Sequence, residues 1–166
     1  LTFDPATVEY KKLGEVCEFS DGYAVSSKDI KENGNYPIIK IGNLIQGSVE
    51  IKNAYLDILP QKIKKSQILS GGEVLIAMSG ATAGKAGYNK IENAIVNQRI
   101  AIIRNKEEIA INGYIKHLLV NKRFEDYCFN KGTGPQTNVS KYDLLNFVIP
   151  IPPKEIQERI VEILDK

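Results

Sequence analysis

Several short stretches of this sequence carry residue types that do chemistry, and their spacing decides which chemistry is available. In "SGATAGKAG" (79–87) two glycines precede a lysine, as in a loop that cradles phosphates. A P-loop needs four residues between its glycines and a hydroxyl residue after the lysine to hold magnesium. Here three residues separate Gly80 from Gly84, and Ala86 follows Lys85, so a nucleotide site is not expected. The bland reading is a hairpin turn after a strand at 74–78, with Lys85 at its tip. Asp4 with Glu9-x-Lys11 supplies the residue types of a metal-dependent nuclease. Its carboxylates lie five residues apart near the N-terminus, rather than on separate strands, and are read as coincidence. His117 is the single histidine and has no Gly-x-Ser-x-Gly elbow to serve, so it is expected at a surface or boundary. An amino-methyltransferase would need an Asn/Asp-Pro-Pro-aromatic loop. The one Pro-Pro pair stands in Ile151-Pro152-Pro153-Lys154. Neither a zinc-protease nor a deaminase pattern occurs, and no dinucleotide fingerprint follows a strand. No catalytic residue, metal site or cofactor is therefore assigned.

What remains is binding chemistry. Three polar loops, "FSDGYAVSSKD" (19–29), "SGATAGKAGY" (79–88) and "NKGTGPQTNVSK" (130–141), hold Tyr, Ser, Thr, Asn, Gln and Lys between glycines. Lysines and backbone N–H groups can hold phosphates, and asparagine or glutamine can pair bidentately with adenine in the major groove. The same residues also serve ordinary turn geometry. A basic cluster, "QKIKK" (61–65), and Lys116, Lys122, Arg123, Lys131 and Lys141 add local positive charge. Net charge is only +2, which disfavours binding to nucleic acid by charge alone.

The elements that must position these loops are legible in outline. The 166 residues fit one domain able to bury roughly 70% of its unfolded surface. There is no stretch of about 18 apolar residues and no signal-peptide pattern, so no membrane association is expected. Cys17 and Cys128 lie far apart and are read as reduced, partly buried thiols of a cytoplasmic protein. "KKLGEVCEFSDG" (11–22) reads as a short helix or strand closed by an Asp-Gly turn. Strands are expected at 38–41, around 48–51 and at 74–78. "NAIVNQRIAIIRN" (93–105) is the strongest strand pattern, with an Ile-rich end buried on both faces. Within it, Asn97 and Gln98 are expected to satisfy backbone groups of a neighbouring loop.

Residues 111–129 read as one amphipathic helix of about five turns, with Ile115, Leu118, Leu119, Phe124 and Tyr127 or Cys128 on its apolar stripe. Ser140 and Asp143 resemble a helix-capping pair. "NFVIPIPP" (146–153) is extended because its prolines disfavour helix before them. Pro153 then fits the first turn of a last helix whose Ile156, Ile160, Ile163 and Leu164 follow a coiled-coil-like spacing. That pattern is still running at Lys166, so this helix is expected to belong to a longer one. The fold class is α/β (α+β): a mixed, twisted multi-stranded sheet with a few packed helices and a C-terminal helix leaving the domain.

The ordered set of motifs resembles the specificity subunit of type I restriction–modification systems, HsdS. The resemblance runs through "KKLGEVCEFSDG", "YPIIKIGNL" (36–44), "LSGGEVLIAMSGATAGKAG" (69–87) and "AIVNQRIAIIR" (94–104). It ends in "KGTGPQTNVSKYDLLNFVIPIPPKEIQERIVEIL" (131–164), its most specific part. It implies one target recognition domain (1–151) and the start of a conserved helical spacer (152–166). The implied role is non-catalytic: reading double-stranded DNA for methyltransferase subunits that methylate adenine, and indirectly for a restriction/motor subunit. A second recognition domain would act in cis or by dimerisation. On this reading Tyr23, Ser26, Ser27, Gln136, Thr137 and Asn138 are candidates for base readout. Lys28, Lys85, Lys131 and Lys141 are candidates for phosphate contact, and the four apolar residues of the last helix for the spacer seam. The alternatives are a recognition domain of a single-chain restriction–methylation enzyme and a protein-interaction module without a DNA role.

Overall fold

A computed structural model describes residues 2–132 and 137–166. In chain order the elements are β1 (Glu9–Lys12), α1 (Leu13–Val16), β2 (Cys17–Asp21), β3 (Tyr36–Ile39), β4 (Leu44–Ile45) and β5 (Ser48–Val49). Then come β6 (Tyr55–Leu56), β7 (Ile68–Ser70), β8 (Val74–Ala77), β9 (Ala86–Tyr88), β10 (Glu92–Val96) and β11 (Ile100–Asn105). The chain closes with α2 (Asn112–Leu119), α3 (Lys122–Lys131), α4 (Lys141–Leu145), β12 (Val148–Ile151) and α5 (Lys154–Leu164).

The strands form a six-stranded sheet in the order β2-β11-β8-β9-β5-β4, a four-stranded sheet β6-β3-β10-β7 and a two-stranded ribbon β1-β12. Most neighbours are antiparallel, while β3 with β10 and β5 with β9 are parallel, so the fold is mixed α+β.

The central strands show why their sequences read as unbroken apolar runs. Side chains alternate between the two faces of a strand. On β8 and β11, Val74, Ile76, Ala101 and Ile103 join the core shared with the helices. Leu75, Ala77, Ile100 and Ile102 pack between the two sheets with Ile39, Ala94 and Val96. The six-stranded sheet is therefore the middle layer, covered on both faces. Burying each valine, leucine or isoleucine side chain here contributes roughly 1.5–3 kcal/mol.

The structure corrects several expectations. The run 93–105 is not one strand. It turns at 97–99, so that β10 lies in the four-stranded sheet and β11 in the six-stranded one. The helix expected over 111–129 is two helices. Asn121 breaks it: its amide donates to the carbonyls of His117 and Leu118 at 2.7 Å each, closing α2. Its carbonyl oxygen accepts from the Phe124 N–H at 3.0 Å, opening α3. The apolar stripe survives the break, since Ile115, Leu119, Phe124 and Cys128 are all buried. Both thiols are fully rather than partly buried and unpaired, and burial pushes each up to about 12.

Pro153 caps α5 rather than standing in its first turn. The start of α5 stays on the domain. Gln157, wholly buried, accepts from the Ile111 N–H at 3.0 Å and donates to the carbonyls of Ile109 (3.2 Å) and Pro152 (2.9 Å). Ile160 and Val161 pack on the helix-side core. Ile156 is half-buried, while Ile163 and Leu164 are more than half exposed. No helix of the described residues is long and apolar enough to cross a membrane.

Candidate nucleic-acid interface

One end of the double sheet gathers the polar loops. On the six-stranded sheet Asp21 pairs with Ala101, Ala77 with Ile100, and Ala86 with Ile76. The C-terminal ends of β2 and β8 and the starts of β11 and β9 thus share one edge. On the four-stranded sheet β10 and β3 run parallel and stop there together, at Val96 and Ile39. All three loops singled out in the sequence start or return at this end.

Backbone bonds stitch them into one surface. The Tyr23 N–H donates to the Val96 carbonyl at 2.6 Å, and Tyr23 bridges Asn97. A Cβ on Gly22 would run into the Asn97 carbonyl, so only glycine lets the first loop cross the 97–99 turn. That turn is tied to the next loop by the Met78 N–H, which donates to the Arg99 carbonyl at 3.0 Å. Ser79 in turn bridges Asn138, with Gly80 N–H donating to the Thr137 carbonyl (2.8 Å) and Val139 N–H to the Met78 carbonyl (2.8 Å). Segments near residues 22, 79, 98 and 138 therefore lie side by side.

The anchoring of the last loop is strong on both sides. Before it, α3 contributes Phe124 and Tyr127. After it, Phe147 packs edge-on to Phe124 at 5.0 Å and against Tyr127 at 4.6 Å. The Tyr127 hydroxyl donates to the Asp143 carbonyl at 2.8 Å. Ser140 caps α4, its hydroxyl oxygen accepting from the Asp143 N–H at 3.0 Å. Aromatic pairs of this kind are worth about 0.5–1.5 kcal/mol beyond their buried area.

The sequence candidates fall into distinct positions. Tyr23, Thr137 and Asn138 are brought to the common end, although Tyr23 is half-buried against a small core of Ile38, Leu56 and Ile95. Ser26, Ser27 and Lys28 are exposed on a short turn leading away from it, to where Lys31 pairs with Tyr55 beside β6. Gln136 lies outside the described residues. Lys131 is exposed, its ammonium 5.8 Å from the Tyr127 ring centre, and Lys141 is exposed with its ammonium 4.8 Å from that of Phe19.

Lys85 is not at a tip. Ala81 and Thr82 are the exposed turn, and Lys85 stands half-buried on the return into β9, beside Lys122 and Glu125 of α3. Gly84 has φ +88° and presses on α3, where a Cβ would meet Cys128 and Glu125. The segment is a hairpin joining β8 to β9, and a strand rather than a helix follows it, as a P-loop would not allow.

The basic stretch 61–65 exposes Lys62, Lys64 and Lys65, and neighbouring Gln67 donates to the Gly22 carbonyl at 3.1 Å. Positive charge therefore borders the common end. His117 is half-buried, with Nε2 2.8 Å from Asp165. Glu9 pairs with Lys11, and no metal-binding group of three or more ligands occurs among the described residues.

Gln98, expected to satisfy backbone groups, and Arg99, given no site role in the sequence, are the residues whose placement differs from that reading. The usable signal was their polarity inside an otherwise apolar run. Asn97 bonds within its own turn rather than to a neighbouring loop, its Oδ1 accepting from the Arg99 N–H at 3.2 Å. Gln98 and Arg99 are exposed instead.

Fold and surface together define a loop-displaying scaffold, a double sheet with polar loops at one end and a docked helix at its C-terminus. The family model described as "Type I restriction modification DNA specificity domain" matches residues 5–166, and the chain belongs to that family. The chain is 26% identical, over its whole length, to the EcoR124I/EcoR124II type I restriction enzyme specificity subunit of Escherichia coli, and spans 42% of that relative's length. Its fold is similar to the HsdS subunit of Thermoanaerobacter tengcongensis, with a TM-score of 0.75 at 23% identity over 99% of this chain and 38% of that one. The type I S subunit of M. genitalium matches with a TM-score of 0.71 at 15% identity, over 99% of this chain and 40% of that one.

Proposed function

We propose that this chain is one target recognition domain of a type I restriction–modification specificity subunit and reads one part of a double-stranded DNA target. The observation that carries the proposal is the convergence of four polar segments, distant in sequence, at one end of a rigid double sheet in a member of this family. Loops at that end enter the major groove, where Tyr23, Thr137, Asn138 and Gln136 meet base edges, and Ser26 and Ser27 extend the contact along the flank. Lys131, Lys141 and Lys28 hold phosphates, and Lys85 acts from the side of α3. Phosphate contacts fix register while base contacts carry the sequence preference.

The domain supplies no catalytic group and no cofactor. It works in the cytoplasm with methyltransferase subunits, through them with a restriction/motor subunit, and with a second recognition domain in cis or in a dimer. Residues 1–151 form the recognition domain, and 152–166 begin the spacer that sets its distance from the second one through Ile156, Ile160, Ile163 and Leu164. Binding to a randomised duplex pool at stated salt tests the proposal. A folded Gln136→Ala/Asn138→Ala variant should lose roughly 1–3 kcal/mol of preference per base contact. Lys131→Ala should weaken all sequences about equally. A parent protein that binds no duplex refutes the reading.

A further inference from the structure

The turn at 97–99 carries the chain from the four-stranded to the six-stranded sheet, so it sits at the centre of the common end. Its backbone is held from three sides and by one bond of its own. Asn97 N–H donates to the Ile39 carbonyl at 2.9 Å, and Ile100 N–H to the Asn97 carbonyl at 3.1 Å. Gly22 and Tyr23 lie against it on one side, and Met78 bonds it on the other. Val96 and Ile100, which bracket it, are essentially inaccessible to solvent. Yet the Gln98 and Arg99 side chains are exposed and have no hydrogen-bond or ion-pair partner among the described residues.

These two side chains have the forked geometry that matches base edges, glutamine with the N6 and N7 of adenine and arginine with the O6 and N7 of guanine. Forks mounted on a fixed backbone give up side-chain freedom on binding but no backbone freedom, and sites on rigid elements hold geometry better than sites on free loops. From this position we infer that Gln98 and Arg99 are specificity-determining residues, Arg99 reading a guanine and Gln98 an adjacent adenine in the major groove. The inference rests on the DNA-reading role proposed above. It also separates labour at this end: the central turn supplies two fixed contacts, and the flanking loops supply the rest.

The test uses the full subunit that carries this domain, assembled with its methyltransferase partner. Bound sequences are selected from a randomised duplex pool for the parent, Arg99→Ala, Arg99→Lys and Gln98→Ala. Thermal melts identical to the parent's establish folding, as expected for two exposed side chains. Arg99→Ala should keep duplex binding but lose preference for guanine at one position by about 5- to 150-fold. Arg99→Lys should retain part of that preference, because lysine reaches guanine without the fork. Gln98→Ala should relax a neighbouring adenine. A loss equal for all sequences, with a salt dependence shallower by about one ion, would make Arg99 a phosphate contact and overturn the inference. An unchanged motif with unchanged affinity would overturn it too, leaving the DNA-reading role intact. A parent that enriches no sequence sinks both.

Discussion

Replacing Gln157 should unseat the last helix, and the structure supplies the size of the effect. Leucine keeps most of the side-chain volume but can neither accept from Ile111 nor donate to Ile109 and Pro152. Three backbone groups, one buried and two partly buried, then lose their partners, at up to about 1–3 kcal/mol each. Entry of a water molecule and slippage of the helix end recover part of that loss. We therefore expect Gln157→Leu to cost about 3–5 kcal/mol, which lowers Tm by roughly 10 °C in a domain of this size. Gln157→Glu separates hydrogen bonding from packing. The carboxylate still accepts from Ile111, but it faces two carbonyl oxygens where the amide N–H groups were. Those carbonyls disfavour its charged form, so its folded pKa rises. A raised pKa means that Gln157→Glu recovers stability relative to the parent as pH falls and the group protonates. The assays are urea and thermal denaturation from pH 5 to 8, with amide exchange at Ile111. Gln157→Leu melting within about 2 °C of the parent, or an Ile111 amide as protected as before, would refute the reasoning.

Asn121→Ala removes the cap of α3 and both bonds that close α2, and should cost about 1–2 kcal/mol in denaturant titration. Gly22→Ala drives a methyl group into the Asn97 carbonyl and should lower stability by at least about 2 kcal/mol, with chemical-shift changes centred on residues 96–99. Gly84→Ala combines a left-handed φ with a clash on α3, and should lower Tm by several degrees, read by calorimetry. Burial pushes the Glu73 carboxyl up, but hydrogen bonds from the Ser70 N–H and hydroxyl and the Asn89 amide outweigh it, leaving it below the usual carboxylate range. A lowered folded pKa means that its stabilisation is full above the ordinary glutamate range, near pH 4–5, and fades as pH falls through the lower folded value. The acid limb of the stability curve should flatten in Glu73→Gln.

Much of the scaffold was legible in the residues themselves. Unbroken, β-branched apolar runs located β8 and β11, and the proline pair located the exit to α5. Ser140 announced the start of α4. Other features depended on partners distant in sequence. The polar triplet 97–99 interrupts the apolar run, but nothing in it says that the two halves serve different sheets, because isoleucines on either side suit both. Asn121 sits inside a good helical stripe, and its capping role appears only when α2 and α3 fold back on the same core. Lys85 looked like a loop tip because the packing of Gly84 on Cys128 and Glu125 is not written in the local sequence. Loop composition singled out Thr137 and Asn138 as candidates, but the convergence of these segments came from strand order.

The bridge between Ser79 and Asn138 makes two of the loops share one backbone frame, whereas the stretch from Ala24 to Asp29 hangs on the other sheet. Substitutions should then fall into two classes in double-mutant cycles. Pairs drawn from the 79–84 and 137–139 segments should be non-additive, since moving one displaces the other. Pairs that combine either segment with Ser26 or Ser27 should add. A lineage changing what this surface prefers would have to revise the bridged loops together, and could alter the third on its own.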